Sequence, residues 1–444
     1  MRWKFSPVLS AVTALTLLCG CAGEAASSGD DSSAVTSASQ TTANIPAVTG
    51  QPPKVTLPEA EAPTDEALLS LGGGEIFEAS GGHYPVYSGT TVRFLPSGES
   101  FYEALLEELG SAEDFILMEY FIIEQGEMLD GVLDIIREKT AAGVEVKIIP
   151  DELASGKGIA EVLREAGAEC EPYRSSDGDG INYRDHRKIT VVDGKSAFMG
   201  GANIADEYIN KISPYGHWVD AAVLMKGEAV RTCTELFFEQ WKGGAELESA
   251  KRYIDASSPA ESDGYVMPFG TSHTEGARNA RAVYLDMICR AEKSLYITAP
   301  YLTIDSEIER ELGNAVSRGV DTVLVIPGIA DKQYSELISR QHWRNLLELG
   351  VKLYRYDPGF VHAKVALCDG ELAMVGSINL NSRSFYLDCE CAAYLFGCSA
   401  AEDIRAFFDG IIPLCTELGE KDIPELSPAE KLEAGLLDRL APVM

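Results

Sequence analysis

The chain has 444 residues, 45% of them hydrophobic and 8% aromatic, enough for two domains or one duplicated fold around a substantial core. Its 69 acidic residues outweigh 37 basic ones, for a net charge of −32, which excludes a protein that grips nucleic acid through a broad basic surface. The acidity describes a solvated exterior and says little about the fold.

In chain order, Arg2 and Lys4 precede an apolar run at residues 8–18. That run is too short to span a bilayer and fits the core of an export signal. It ends in Leu18-Cys19-Gly20-Cys21, which resembles a bacterial lipobox with Cys21 as the lipid-carrying residue. Residues 1–21 are therefore expected to be a lipoprotein-type signal. Residues 22–66, rich in Ser, Thr, Ala and Pro without periodicity, read as a flexible spacer. The expected location is the extracytoplasmic face of the cell membrane, held by the lipid anchor. Cys233, Cys289, Cys368 and Cys398 sit among apolar neighbours and read as small core residues. Cys389 and Cys391, one residue apart, match no zinc pattern, and no metal or cofactor is expected.

The rest of the chain divides into two parts, 67–255 and 256–444, with one plan. Leu129, Val132, Leu133 and Ile136 share a helical face within residues 128–140; Gly143 stops the helix, and Val144, Val146 and Ile148 alternate as a strand. Further on, Ile308, Leu312, Ala315 and Val316 share a helical face, Gly319 follows, and residues 322–326 read as a strand. Residues 115–123 and 294–302 are strand candidates upstream of each helix. This order predicts βαβ units in two pseudo-symmetric α/β halves, each a mixed, mostly parallel sheet flanked by helices, with the active site between them.

The downstream register makes the duplication firm. His186-x-Lys188 with Asp193 repeats as His362-x-Lys364 with Asp369. Gly143 and Gly319 each stand 43 residues before their histidine; Gly200 and Gly376 follow by 14, and Asn203 and Asn379 by 17. One such motif is cheap in a long chain; two, inside halves that agree at further offsets, are not a coincidence.

These residue types suit phosphodiester chemistry. A histidine nucleophile needs one nitrogen facing phosphorus and a partner fixing the other. On a strand, the two-residue period would put each histidine and lysine on one face. Two histidines and two lysines around one phosphate support double displacement: one histidine attacks while the other protonates the leaving oxygen, and lysines and amide donors steady the developing charge. Asp193 and Asp369 belong to the candidate catalytic motif, but each precedes a glycine, where a turn after the strand accounts for it. Asn203 and Asn379 suit either a helix cap or a phosphate-facing amide.

The paired H-x-K-x4-D motifs resemble the phospholipase D superfamily, and finer words resemble its bacterial cardiolipin synthases. Those words are Asn182-x-Arg184-x-His186-Arg187-Lys188 and Gly200-Gly201-x-Asn203 in the first half. The second half has Pro358-Gly359-Phe360-x-His362-x-Lys364 and Gly376-Ser377-x-Asn379-Leu380. The resemblance implies His186 as nucleophile, His362 as acid and base, Lys188 and Lys364 with Asn203 and Asn379 holding the phosphate, and Asp220 and Glu390 orienting the histidines. It implies condensation of two phosphatidylglycerols to cardiolipin and glycerol at a membrane surface, without nucleic acid. The transmembrane helices usual in that family are replaced here by the lipoprotein-like leader. The same constellation would also serve a hydrolytic or broad-specificity phospholipase D, an exported nuclease, or a non-catalytic lipoprotein that binds anionic head groups. The acidic balance opposes the nuclease, and the completeness of both motifs opposes the inert binder.

Overall fold

A computed structural model describes residues 84–174, 182–244, 246, 248–272, 279–423, 425–430 and 432–434. The leader, Cys21 and the spacer lie outside them. Among the described residues, no helix is long and apolar enough to cross a membrane.

The first sheet comprises β1 (Thr90–Leu95), β2 (Phe115–Tyr120), β3 (Glu145–Pro150), β4 (Glu169–Cys170), β5 (Lys188–Val192), β6 (Ser196–Gly200) and β8 (Ala222–Gly227), in the order β1-β8-β6-β5-β2-β3-β4; β7 (His217–Val219) stands apart from it. The second sheet comprises β9 (Tyr265–Thr271), β10 (Ser294–Thr298), β11 (Asp321–Pro327), β12 (Lys352–Tyr356), β14 (Val365–Cys368), β15 (Leu372–Gly376), β16 (Glu390–Phe396) and β17 (Cys415–Leu418). Its order is β17-β12-β11-β10-β14-β15-β16-β9. The remaining strand, β13 (Gly359–Val361), pairs in parallel with β7 and so joins the halves. Helices longer than ten residues are α1 (Gly98–Ser111), α2 (Glu127–Ala141), α3 (Val230–Gln240), α4 (Asn279–Arg290), α5 (Ser306–Ser317), α6 (Gln333–Glu348) and α7 (Ala400–Ile411).

The expected repeats of helix and strand are present. Helix α2 buries Met128, Leu129, Val132, Leu133 and Ile136, and the chain turns at Gly143 with φ 93°. Helix α5 starts at Asp305, whose carboxylate accepts from Glu307 N and Ile308 N at 2.9 and 3.1 Å, and buries Ile308, Leu312 and Ala315. Strands β3 and β11 are buried on both faces, as parallel strands under crossover helices must be. The preceding strands are shorter than expected, ending at Tyr120 and Thr298, because the chain then leaves each sheet.

The sheets are mixed, but antiparallel pairs outnumber parallel ones, which corrects the mostly parallel expectation. Within the two large sheets, parallel pairing is confined to β2-β3-β4 and β10-β11-β12. The short links from β5 to β6 and from β14 to β15 leave no room for a crossover and force hairpins. A second correction concerns cysteine. Cys233, Cys368 and Cys398 are buried as expected, whereas Cys289 is exposed near the end of α4; all eight described cysteines are free.

The sheets meet where β6 and β8 approach β15 and β16. Helix α3 of the first half packs on β9 of the second sheet, and α7 packs back on β1 of the first. One apolar cluster runs through both sheets, while a second fills the space between the first sheet and α1 and α2. The halves therefore share a core, and residues at their seam are held from both sides.

Candidate active site

The histidines stand at that seam. His186 lies just before β5, which Lys188 opens, and His362 and Lys364 lie between β13 and β14, so the histidines precede their strands rather than ride on them. The cause is a backbone bond across the seam. His186 N donates to Cys389 O and His362 N donates to Val219 O, each at 2.8 Å. Each acceptor is the residue before an acid, and the bond sets that acid beside the ring. Glu390 Oε2 meets His186 Nδ1 at 2.9 Å, and Asp220 Oδ2 meets His362 Nδ1 at 2.6 Å. Asp220 and Glu390, the two acids singled out from sequence, thus each bond the histidine of the other half. With a carboxylate on Nδ1–H, the Nε2 lone pair is left for the cavity.

The lysines turn back on their own motifs. Lys188 Nζ donates to His186 O at 2.6 Å, and Lys364 Nζ donates to His362 O. Both ammonium groups are buried with little solvent contact. Burial depresses Lys188 to about 8 and Lys364 to about 7, with Asp220 and Glu390 pulling both upward. Burial also lowers the histidines. His186 falls well below its usual range, pushed further by Lys188, Lys364, Arg383 and Lys332. His362 falls to about 3 under burial and Lys364, against the opposing pull of Asp220. Each histidine thus feels both lysines, so the four groups lie close together at the seam around two neutral imidazoles.

The remaining candidates divide. Asp193 is not at the cavity. Its carboxylate accepts from the backbone N–H of Glu113, Asp114 and Phe115 at 2.8–2.9 Å, and its φ is 52°. Asp369 repeats this with Glu292, Lys293 and Ser294 at 2.7–2.8 Å and a φ of 53°. The motif aspartates tie the hairpin after β5 or β14 to the start of β2 or β10, which corrects their place among the catalytic candidates and agrees with the turn reading. Burial would raise Asp193, but the three amide donors hold it below the usual carboxylate range.

Neither asparagine caps a helix. Asn203 Oδ1 accepts from Ile122 N at 3.0 Å and its Nδ2 donates to Tyr208 Oη at 2.6 Å, so most of its amide is spent internally. The cap of the short helix Ser382–Tyr386 is Asn381, two residues beyond Asn379. Asn379 keeps a buried Oδ1 without a partner among the described residues.

Sequence reasoning missed the aromatic walls and one hydroxyl. Phe121 meets the His186 ring edge-on at 4.8 Å, with Lys188 5.2 Å above its face. Tyr208 and Trp218 lie 5.4 and 5.1 Å from the His362 ring. Ser377 Oγ donates to Glu390 Oε2. Its signal was available, because Ser377 occupies the repeat position of Gly201.

The fold and site define a two-half α/β architecture with one composite histidine–lysine centre. A family model described as cardiolipin synthase, phospholipase D-like domain matches residues 105–240 and 284–412. An uncharacterized protein of Streptococcus mutans is 37% identical over 371 residues, covering 82% of this chain and 80% of that one. The cardiolipin synthase of Geobacillus thermodenitrificans is 35% identical over 324 residues, 71% of this chain and 64% of that synthase. The match thus spans slightly less than two thirds of the synthase. The phosphatidylserine synthase of Haemophilus influenzae shares the fold, with a TM-score of 0.62 at 13% identity over 81% of this chain and 97% of that one. The chain belongs to the cardiolipin synthase-like family of the phospholipase D superfamily.

Proposed function

We propose that the protein is a phosphatidyltransferase that condenses two phosphatidylglycerols to cardiolipin and glycerol through a phosphohistidine on His186. The observation that carries this reading is the pair of neutral imidazoles, each held through Nδ1 by an acid of the other half and flanked by a buried lysine.

In the first step Nε2 of His186 attacks the donor phosphorus while Lys188 and Lys364 neutralise the phosphate oxygens. The P–O bond to the leaving glycerol breaks, and that oxygen takes a proton from His362. An anionic phosphate between the lysines offsets the field that depresses His362, so an imidazolium backed by Asp220 becomes attainable. In the second step the acceptor hydroxyl gives its proton to His362 as its oxygen bonds to phosphorus and the P–N bond breaks. That proton serves the next leaving group, and the cycle balances.

The partner is an anionic phospholipid surface, and the lipobox-like leader with Cys21 supports an extracytoplasmic lipid anchor. The test is turnover of labelled phosphatidylglycerol vesicles by the purified chain. Cardiolipin with one glycerol per turnover, absent in His186→Ala and His362→Ala, is expected. Phosphatidic acid as sole product would replace the transferase with a hydrolase. Palmitate labelling of the expressed chain, lost in Cys21→Ala, tests the anchor.

A further inference from the structure

Beside His362, in the second half, lies a cavity of about 210 Å³ that the chemistry above does not use. It sits beyond the carboxyl ends of the parallel strands β10, β11 and β12, the usual ligand position in an α/β sheet. Its walls include Tyr301, Asp331, Lys332, Arg340, Trp343 and Phe360. Phe360 links it to the centre, 6.0 Å from the His362 ring and 5.9 Å from that of Tyr301.

Two polar atoms in this wall are buried without partners among the described residues: Asp331 Oδ1 and Trp343 Nε1. The other Asp331 oxygen accepts from Tyr301 Oη at 2.5 Å, which holds the carboxylate in place. Buried polar atoms are costly to leave unpaired, so such a pair marks a place for a ligand. An alcohol meets both needs, because each hydroxyl donates one bond and accepts others. The cations narrow the choice. Arg340 is neutralised by Glu336 at 2.7 Å, whereas Lys332, over the Tyr301 ring at 5.4 Å, has no carboxylate partner among the described residues. A carboxylate and an indole N–H beside an uncompensated lysine suit a neutral polyol attached to an anion and disfavour an ammonium head group. The cavity is many times the roughly 10–15 Å³ that admits one water, enough for a three-carbon polyol.

We infer that this cavity is the acceptor subsite, binding the polyol head group of the lipid that resolves the phosphohistidine, with Asp331 and Trp343 as its specificity-determining residues. The inference rests on the proposed function and deepens it. One hydroxyl donates to Asp331 and accepts from Trp343, Lys332 faces the phosphate, and the other free hydroxyl is presented to His362. That oxygen bonds to phosphorus as the P–N bond to His186 breaks and its proton passes to His362.

The experiment uses the purified full chain and phosphatidyl-p-nitrophenol with labelled acyl chains. Nitrophenol release reports the donor step, and the labelled products report how the phosphatidyl group partitions between acceptor and water. Phosphatidylglycerol vesicles, free glycerol and propan-1-ol are compared as acceptors. Asp331→Asn places an N–H where an acceptor is needed, and Trp343→Phe removes the donor. Each variant is expected to lower the ratio of transfer to hydrolysis about tenfold for phosphatidylglycerol and glycerol, but not for propan-1-ol. Wild-type preference for phosphatidylglycerol over equimolar glycerol assigns a lipid-borne polyol, and the reverse assigns a free one. An unchanged ratio in both variants, an equal loss with propan-1-ol, or no nitrophenol release from either variant overturns the inference. No release from wild type overturns the proposed function itself.

Discussion

Where the first half carries Gly201 the second carries Ser377, and this exchange separates two otherwise matched histidine centres. A side chain at Gly201 would run into the Asp220 carboxylate. Without one, Asp220 sits close, accepts from Ala221 N at 2.8 Å, and stays below the usual carboxylate range despite burial, held there by His362 and Lys364. In the other half Ser377 donates to Glu390, yet burial still raises Glu390 to about 7. His362 therefore faces a fixed negative charge that favours its imidazolium, which suits the acid and base of the proposed cycle. His186 faces a carboxyl that is only partly charged near neutrality, which suits the neutral nucleophile of that proposal. Duplication supplied one backbone device twice; the local carboxylate environment makes the two copies differ.

The largest test of this contrast removes the histidines. With a nitrophenyl leaving group, which needs little protonation, His186→Ala is expected to lose about 10⁴-fold or more in release, whereas His362→Ala loses about 10²-fold. Equal losses would break the division of roles.

The acids come next. Asp220→Asn removes the charge behind an imidazolium and is expected to cost about 10²–10³-fold in kcat, against about tenfold for Glu390→Gln at neutral pH. The pH profile sharpens this further. Below about pH 7 Glu390 is protonated and can no longer hold His186 as its Nδ1–H tautomer. Above about 7 to 8, Lys364 and then Lys188 lose the charge that binds phosphate. A bell-shaped kcat/KM is therefore expected, and Glu390→Gln should remove its acid limb while Asp220→Asn leaves that limb in place.

The smallest effects are on stability. Asp193 is buried and Asp369 half-buried, so replacing either by Asn, which cannot accept all three amide bonds, should destabilise the chain by about 1–3 kcal/mol, more for Asp193. Denaturant midpoints should fall while activity per folded molecule is retained. Loss of turnover with an unchanged midpoint would return these aspartates to the catalytic machinery.

Much of this was legible in the chain because it is written in local spacing. The helix faces of α2 and α5, the stops at Gly143 and Gly319, and the doubled H-x-K-x4-D follow from short-range geometry and repetition. Asp220 and Glu390 could be named as orienting acids, but not assigned to a histidine, because the bonds from His186 to Cys389 and from His362 to Val219 join residues more than a hundred positions apart. The balance of parallel and antiparallel strands was misjudged because βαβ units announce themselves by periodicity, whereas the hairpins at β5–β6 and β14–β15 depend on what each strand pairs with. Residue types and their duplication were thus determined by sequence alone. Which acid meets which ring, how far burial shifts each charge, and which polar atoms of Asp331 and Trp343 remain unmet were decided only by tertiary structure. Those properties depend on desolvation and on contacts across a seam that no local pattern encodes.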